Sequence, residues 1–381
     1  MKVYLDNAAT TPLDKEVFDA MAPFMLNQFG NPSSIHSHGR EVRAAIERSR
    51  KKVAELLNTS PSEIFFTSGG TEADNTAIRC TVAAKGIQHI ISSKIEHHAV
   101  LHTIEHLEKK GLIQAHYLTL DEKGHIDLAE LEGLLKTLPK VLITLMHANN
   151  EIGNLNDIVR IGELAKEYGA VFHSDTVQTM GHYVHDLQQI KAHCLVGAAH
   201  KFHGPKGVGF LYLNAEHKIQ PFIYGGAQER NMRGGTENVY GIIGLAKALE
   251  IAYRDMDEHR KHVESLKARM IAKLKEDISR VGFNGDSANM ERSLYTVLNV
   301  CLPPHEDNDM LLFNLDINGI SASGGSACSS GSSIGSHVLA GIKADPTRGA
   351  VRFSFSRMST EAEIDYAVEK LAEIYGVTQK A

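Results

Sequence analysis

Two side chains near the middle of the chain have types and positions that could support covalent catalysis. Asp175 ends a short apolar run at 170–174, and Lys201 follows a second strand-like run at 194–197. A lysine can form a Schiff base with a carbonyl group, and an aspartate can keep a pyridinium nitrogen protonated. The pair therefore suits a pyridoxal phosphate (PLP) site, in which the cofactor ring takes up electrons. The alternative is a surface lysine and a strand-end aspartate, which are common in α/β proteins.

Other candidate groups also follow predicted strands. Gly70 and Thr71 lie where a strand at 64–67 turns into a helix, and the free N–H groups of a helix start attract anions such as a phosphate. His97 follows a strand at 89–93 and could stack on a flat aromatic cofactor. Asn149 follows the apolar run 141–146, and an amide here could bond the phenolic oxygen of the ring. The alternatives are a plain glycine turn and a structural histidine.

The alternation of strands and helices from 64 to 213 predicts a mostly parallel sheet. Ligands of such sheets bind outside the carboxyl ends of the strands. Gly70, His97, Asn149, Asp175 and Lys201 all fall just after predicted strands, and this coincidence favours the cofactor interpretation.

One of the four cysteines lies in a setting suited to nucleophilic chemistry. Cys328 is in the middle of a segment of small residues, 321–333, where a thiol would be presented to a substrate. The alternative is a free cysteine in a linker. The other three lie in helix or strand contexts and are expected to be inert core thiols: Cys80, Cys194 and Cys301.

Two basic features could bind anionic groups. Arg352 lies in a predicted edge strand at 350–356, and its guanidinium could hold a carboxylate through two hydrogen bonds. A loop rich in glycine and arginine, 225–238, could wrap a phosphate of its own subunit or of a partner subunit. The alternative for this loop is a flexible surface segment.

Composition limits the possible function classes. The chain has 381 residues and a net charge of −6, which argues against a nucleic-acid binder. No signal peptide and no run of 18 apolar residues is evident, so a cytoplasmic protein without a membrane span is expected. The absence of a CxxC pair argues against a disulfide framework or a zinc site. His98, His102 and His106 have helical spacing but no carboxylate or cysteine partner, so we expect no metal there.

The ordered set of motifs resembles the cysteine desulfurases, the NifS/IscS-like branch of the class V aminotransferase family. Each motif alone is weak, but together they cover nearly the whole chain in the family's order: residues 4–12, 66–72, 96–100, 146–153, 200–201, 326–328 and 351–354. The resemblance implies the PLP-dependent transferase fold type I, with a mostly parallel seven-stranded sheet in a large domain and a smaller α+β domain at the C-terminus. We expect the large domain at 13–255 and the small domain at 1–12 and 256–381.

The resemblance also implies roles for individual residues. Lys201 would carry PLP and move the proton at the substrate α-carbon, and Cys328 would attack the substrate sulfur, leaving alanine and a persulfide. Asp175 would pair with the ring nitrogen, Gln178 would bond the phenolic oxygen, and His97 would stack on the ring. The remaining roles are phosphate binding by Gly70, Thr71, His200 and the partner subunit's Thr236, and substrate carboxylate binding by Asn149 and Arg352, with Asn7 nearby.

The leading hypothesis is therefore a homodimeric enzyme that takes sulfur from L-cysteine and supplies it to an acceptor protein for iron–sulfur clusters or thio-modification. One alternative is a selenocysteine lyase on the same scaffold, which needs no attacking thiol. Another is a sulfur-relay partner without catalysis. Ala198 stands where many members of the family have a phosphate-binding serine, and the loss of such a hydrogen bond costs roughly 1.5–3 kcal/mol.

Overall fold

The apolar runs of the sequence form the strands of a central sheet in a computed structural model that describes residues 1–324 and 335–375. The strands in these ranges are β1 (Val3–Tyr4), β2 (Ile64–Thr67), β3 (His89–Ser92), β4 (Gln114–Tyr117), β5 (Val141–Thr144), β6 (Val171–Asp175), β7 (Cys194–Ala198), β8 (Gly209–Leu213), β9 (Gly282–Phe283), β10 (Val297–Cys301), β11 (Ile320–Ser321) and β12 (Ala350–Ser354).

Most helices of the described residues lie between these strands. They are α1 (Lys15–Leu26), α2 (Ser37–Leu56), α3 (Gly70–Asn75), α4 (Thr81–Lys85), α5 (His98–Lys109), α6 (Leu128–Thr137), α7 (Ile158–Glu167), α8 (Val239–Arg254), α9 (Met256–Asp277), α10 (Leu311–Ile317), α11 (His337–Gly341) and α12 (Glu361–Tyr375). None of the helices in the described ranges combines the length and apolar character that a membrane span requires.

The central sheet has seven strands in the order β2-β8-β7-β6-β5-β3-β4. β8 runs antiparallel to both neighbours, and the pairs from β7 to β4 are parallel. The predicted mostly parallel seven-stranded sheet is therefore confirmed. Since β3, β5, β6 and β7 are parallel, the residues that follow them meet at one edge of the sheet. This edge is where the sequence placed the candidate groups.

Two helical segments are interrupted. A π-helical stretch, Thr76–Cys80, lies between α3 and α4. Asp255 separates α8 from α9. The buried face continues across Thr76–Cys80, so apolar periodicity does not report that break, whereas no residue from 253 to 262 is buried.

A second layer of structure lies at the ends of the chain. β10 pairs antiparallel with β12 and β9, and β1 pairs in parallel with β11. One apolar cluster joins Val3 and Leu5 to core residues between 263 and 372, whereas the largest cluster draws only on residues between 17 and 252. The domain boundaries at 12 and 255 stay a prediction, which this division of the core supports.

Candidate active site

A cleft at the carboxyl edge of the sheet brings together most of the residues that the sequence singled out. It is open to solvent, and about 860 Å³ of empty space, open solvent at the mouth included, lies between its walls. Its walls include Gly70, Thr71, His97, Asp175, Gln178, His200, Lys201 and Arg352. These side chains come from β6, β12 and the segments after β2, β3 and β7, so no short stretch of sequence contains the site.

Lys201 presents its amine inside the cleft. A short 3-10 turn, Ala199–Lys201, follows β7 and points the side chain towards the N-terminal segment. The Nζ atom donates to the carbonyl oxygens of Ala8 (2.6 Å) and Ala9 (2.8 Å). The same segment accepts a bond from Gln178 Nε2 at Ala8 (3.1 Å). The N-terminal segment therefore forms one wall of the cleft and holds two candidate groups beside each other.

Asp175 is the last residue of β6 and is 7% exposed. Its Oδ1 atom accepts a bond from the Val177 N–H at 2.9 Å. Burial raises the pKa of the carboxyl group, while His97, the Val177 N–H and Lys201 oppose that rise because they favour the anion. A carboxylate stabilised in this way can face a protonated ring nitrogen.

His97 is held as a neutral ring at the start of α5. Its Nδ1 atom accepts from the Ala99 N–H at 3.1 Å, which fixes the remaining ring proton on Nε2. Burial, together with the neighbouring Lys201, lowers the pKa of the ring, although Asp175 acts in the opposite direction. A fixed, neutral imidazole in the cleft wall suits stacking on a flat ring.

The start of α3 is open towards the cleft. Gly69, which precedes the helix, provides no side-chain cap for its first N–H groups. A Cβ atom at Gly70 would lie 2.8 Å from Val177 Cγ2, so the close approach of α3 to the loop after β6 requires glycine. His200 lines the cleft too, and its Nδ1 atom lies 3.2 Å from Thr10 Oγ1. Burial, with Lys201 and Lys206, lowers the pKa of His200 to about 4.

Arg352 reaches the cleft from β12 and is 1% exposed. One terminal nitrogen binds Asp6 Oδ1 at 2.7 Å and the other donates to the Asn150 carbonyl at 2.9 Å. Its Nε has no hydrogen-bond partner among the described residues. The guanidinium is thus fixed in place at the cleft wall.

Three predicted site residues within the described ranges are not among those that line the cleft. The Asn149 amide is used by backbone groups, since Nδ2 donates to Ile95 O in the segment after β3 and Oδ1 accepts from the N–H groups of Glu151 and Ile152 in its own loop. The Asn7 amide binds the Ser354 carbonyl at 2.8 Å. Thr236 lines a separate cavity beside residues 66–68 and 207–208. Cys328 lies outside the described residues.

Two polar residues of the cleft wall are not predicted by the sequence motifs. Asp74 is 1% exposed and lines the cleft. It lies four residues, one helical turn, after Gly70, and this spacing could have indicated that both residues face the cleft. Asn150 directly follows Asn149 and lines the cleft in its place. A sequence motif cannot show which of two adjacent asparagines faces the cleft, because that depends on the conformation of the loop.

The donor set fits PLP. The cleft offers an amine for a covalent link, a buried carboxylate for a ring nitrogen, and an imidazole for a ring face: Lys201, Asp175 and His97. The uncapped start of α3 leaves N–H groups for a phosphate, and a Cβ at Gly69 would meet nothing within 4 Å, so space is open there. Ala198 also lines the cleft, so the hydroxyl that the resemblance led us to expect is missing from this wall.

Comparison with known proteins agrees with this geometry. The family model described as aminotransferase class-V matches residues 3–367. A protein from Dictyoglomus turgidum named cysteine desulfurase IscS is 44% identical over 98% of this chain and 94% of its own length. A solved structure described as a NifS-like protein superposes with a TM-score of 0.90 at 36% identity, covering 98% of this chain and 99% of that one.

A second solved structure, described as SspA in complex with cysteine, has a TM-score of 0.81 at 31% identity, and the match covers 94% of this chain and 100% of that one. The family match spans most of the sequence and both parts of the fold. The chain therefore belongs to the class-V aminotransferase family.

Proposed function

We propose that the chain is a PLP-dependent cysteine desulfurase, which converts L-cysteine to L-alanine and retains the sulfur as a persulfide on Cys328. The observation that carries the proposal is the Lys201 amine in one cleft with the buried Asp175 carboxylate. The names of the similar proteins support it, and the cysteine complex of one of them supports L-cysteine as the substrate.

The chain uses PLP, as class-V aminotransferases do. When bound, PLP supplies an electron sink for the bond that breaks at the substrate α-carbon. Lys201 would hold it covalently, Asp175 would keep its ring nitrogen protonated, and His97 would cover one ring face. Gln178 would bind the phenolic oxygen. The phosphate would lie against the start of α3, near Gly70, Thr71 and His200.

The side chains of this protein then position the substrate and move its protons. Arg352, fixed by Asp6, would bind the substrate carboxylate through a charge-assisted hydrogen bond, with Asn7 and Asn149 supporting the surrounding loops. The Lys201 amine, once released from the cofactor, would carry the proton at the α-carbon. Holding the reacting groups in one geometry supplies much of the rate gain.

The sulfur transfer needs one nucleophile and no external oxidant. The Cys328 thiolate would attack the substrate sulfur, so that the carbon–sulfur bond breaks while a sulfur–sulfur bond forms. The electron pair of the broken bond stays with the substrate carbon, which takes up a proton and leaves as part of alanine. One L-cysteine and one thiol thus give one L-alanine and one persulfide.

We further propose that the working form is a homodimer. Thr236 is exposed and lies in a different cavity from its own cleft, so a role at a phosphate requires the cleft of a second subunit. Several large apolar side chains around α1 and the following loop are exposed, and a partner subunit would cover them: Leu26, Phe29 and Ile35.

We also propose that the persulfide passes to a sulfur-acceptor protein, for iron–sulfur cluster assembly or thio-modification, in the cytoplasm. The acceptor has to approach Cys328, which belongs to the segment of small residues at 321–333. The net charge of −6 argues against nucleic acid as the direct partner.

The test is alanine formation from L-cysteine by the PLP-loaded protein, with Cys328→Ala and Cys301→Ala measured in parallel. We expect wild type and Cys301→Ala to form alanine and Cys328→Ala to lose this activity. Full activity in Cys328→Ala would favour the selenocysteine lyase alternative. If none of the three proteins turns over while PLP absorption is present, L-cysteine is not the substrate.

A further inference from the structure

The cleft wall contains a second buried carboxyl group that the proposed chemistry does not use. Asp74 on α3 is 1% exposed and lines the same cavity as Asp175. Its Oδ1 atom lies 3.2 Å from Nε2 of His173, whose side chain is completely buried. Within the described residues, neither atom takes part in a hydrogen bond, with the other or with any other group, so a proton on Nε2 would not make an N–H···O bond to Asp74.

His173 lies directly behind the carboxylate that faces the cofactor position. It precedes Asp175 by two residues on β6, so both side chains project from the same face of the strand. Its Nδ1 atom lies 2.7 Å from Thr144 Oγ1 on the neighbouring β5. The other ring nitrogen is therefore left to Asp74.

Which of His173 Nδ1 and Thr144 Oγ1 donates depends on the ring nitrogen that carries the proton. A proton on Nε2 would find no aligned acceptor, so we place it on Nδ1. Burial lowers the pKa of His173 to about 3, so the ring is neutral. A neutral ring that donates from Nδ1 to Thr144 has an acceptor at Nε2, and Asp74 must then supply the proton between them. Burial, with the nearby Asp175 and Glu96 carboxyls, raises the pKa of Asp74 well above its ordinary value.

Asp175 differs from Asp74 in its partners. It accepts a backbone N–H bond at 2.9 Å, and His97 and Lys201 lower its pKa. The pKa of Asp74 is raised by burial and by the Asp175 and Glu96 carboxyls. Two carboxyl groups that share a buried site do not both ionise readily. The negative charge therefore belongs on Asp175 and the proton on Asp74.

We propose that Asp74 is a positioning residue, a neutral carboxylic acid that donates its proton to His173 Nε2 and leaves Asp175 as the single anion beneath the cofactor. This inference deepens the proposed function, because the anion is needed only if Asp175 holds a protonated ring nitrogen. The pair would fix the His173 ring behind Asp175 and keep a second negative charge out of the cleft.

The test is infrared spectroscopy of the PLP-loaded protein at neutral pH, with Asp74→Asn and Asp175→Asn as a matched pair. The C=O stretching band of a protonated carboxyl group should be present in wild type, lose one component in Asp74→Asn and be retained in Asp175→Asn. An unchanged band in Asp74→Asn would overturn the proposal. A band that is lost in Asp175→Asn but retained in Asp74→Asn would exchange the two roles and would also overturn it.

A pH titration of the cofactor absorption supplies a second readout. The asparagine amide and a protonated Asp74 are both neutral hydrogen-bond donors. The pH midpoint of the cofactor titration in Asp74→Asn should therefore equal that of wild type. If Asp74 were an anion, its removal would shift the midpoint by about 1 unit or more, which would refute the inference. If no PLP absorption develops in wild type, the proposed function fails, while the infrared band still decides the state of Asp74.

Discussion

The loop that bears Thr236 depends on a buried ion pair, and breaking that pair is the sharpest test of how the structure holds the loop. Arg50 of α2 and Glu229 have side chains that are 1% and 3% exposed. They form two hydrogen bonds of 2.7 and 2.8 Å, and Glu229 also accepts from the Phe66 N–H at 2.8 Å. Glu229, Arg230 and Asn231 all have positive φ angles, 44°, 56° and 66°, which these contacts must maintain.

Glu229→Gln removes one charge and leaves the other buried. Removal of one partner of a buried pair typically costs about 3–5 kcal/mol, because the remaining ion lacks both water and a counter-charge. Glutamine keeps one oxygen acceptor for Arg50, so we expect a loss near the lower end, about 3 kcal/mol. The assay is the free energy of unfolding from urea denaturation, extrapolated to water.

Glu47→Gln is the matched control. Glu47 also contacts Arg50, at 3.2 Å, but its side chain is 43% exposed. Solvent screens such a contact, and its removal should cost about 0–1 kcal/mol. Equal losses in the two variants would refute the reasoning, since burial would then not decide the strength of the interaction.

Three further predictions concern protonation and packing. Burial lowers the pKa of Lys267 to about 7 from its ordinary 10.5. Between these two pH values the unfolded chain binds one more proton than the folded chain, so the free energy of unfolding should rise with pH, by at most about 1.4 kcal/mol per pH unit. Lys267→Met should remove this pH dependence in urea denaturation measured at several pH values. Gly70→Ala places a Cβ 2.8 Å from Val177 Cγ2 and should weaken PLP binding by about 1–3 kcal/mol in absorbance titrations. Adding Val177→Ala to the same chain should restore the PLP affinity. If the affinity is not restored, this clash is not the cause of the loss. Ala198→Ser adds a hydroxyl to the cleft wall and should tighten PLP binding by about 1.5 kcal/mol, whereas weaker binding would show that the wall has no room for a donor.

The sequence alone was enough to predict the central sheet and the side chains that follow its strands. Asp175 and Lys201 could be placed together because parallel strands align their carboxyl ends, so position along the chain translates directly into position at one edge. The same argument placed His97 and Gly70. Apolar periodicity and the family resemblance were therefore enough to predict many of the residues that line the cleft.

Other features depend on contacts between residues far apart in sequence. Asp74 meets His173, and Arg50 meets Glu229, across separations that no local pattern reports. Asn149 and Asn150 exchange places for a different reason, since a single turn decides which amide faces inwards. The π-helical stretch Thr76–Cys80 leaves the apolar stripe intact, so a pattern of burial cannot reveal it.

The most direct test of the central claim is the mass of the protein after exposure to L-cysteine, with peptide mapping of the four cysteines. The proposed chemistry predicts a gain of one sulfur atom per subunit on the peptide containing Cys328, matched by one equivalent of alanine. The Cys328→Ala variant should show neither. Alanine formed without this gain, or sulfur retained instead on Cys80, Cys194 or Cys301, would contradict the assignment of Cys328 as the sulfur acceptor.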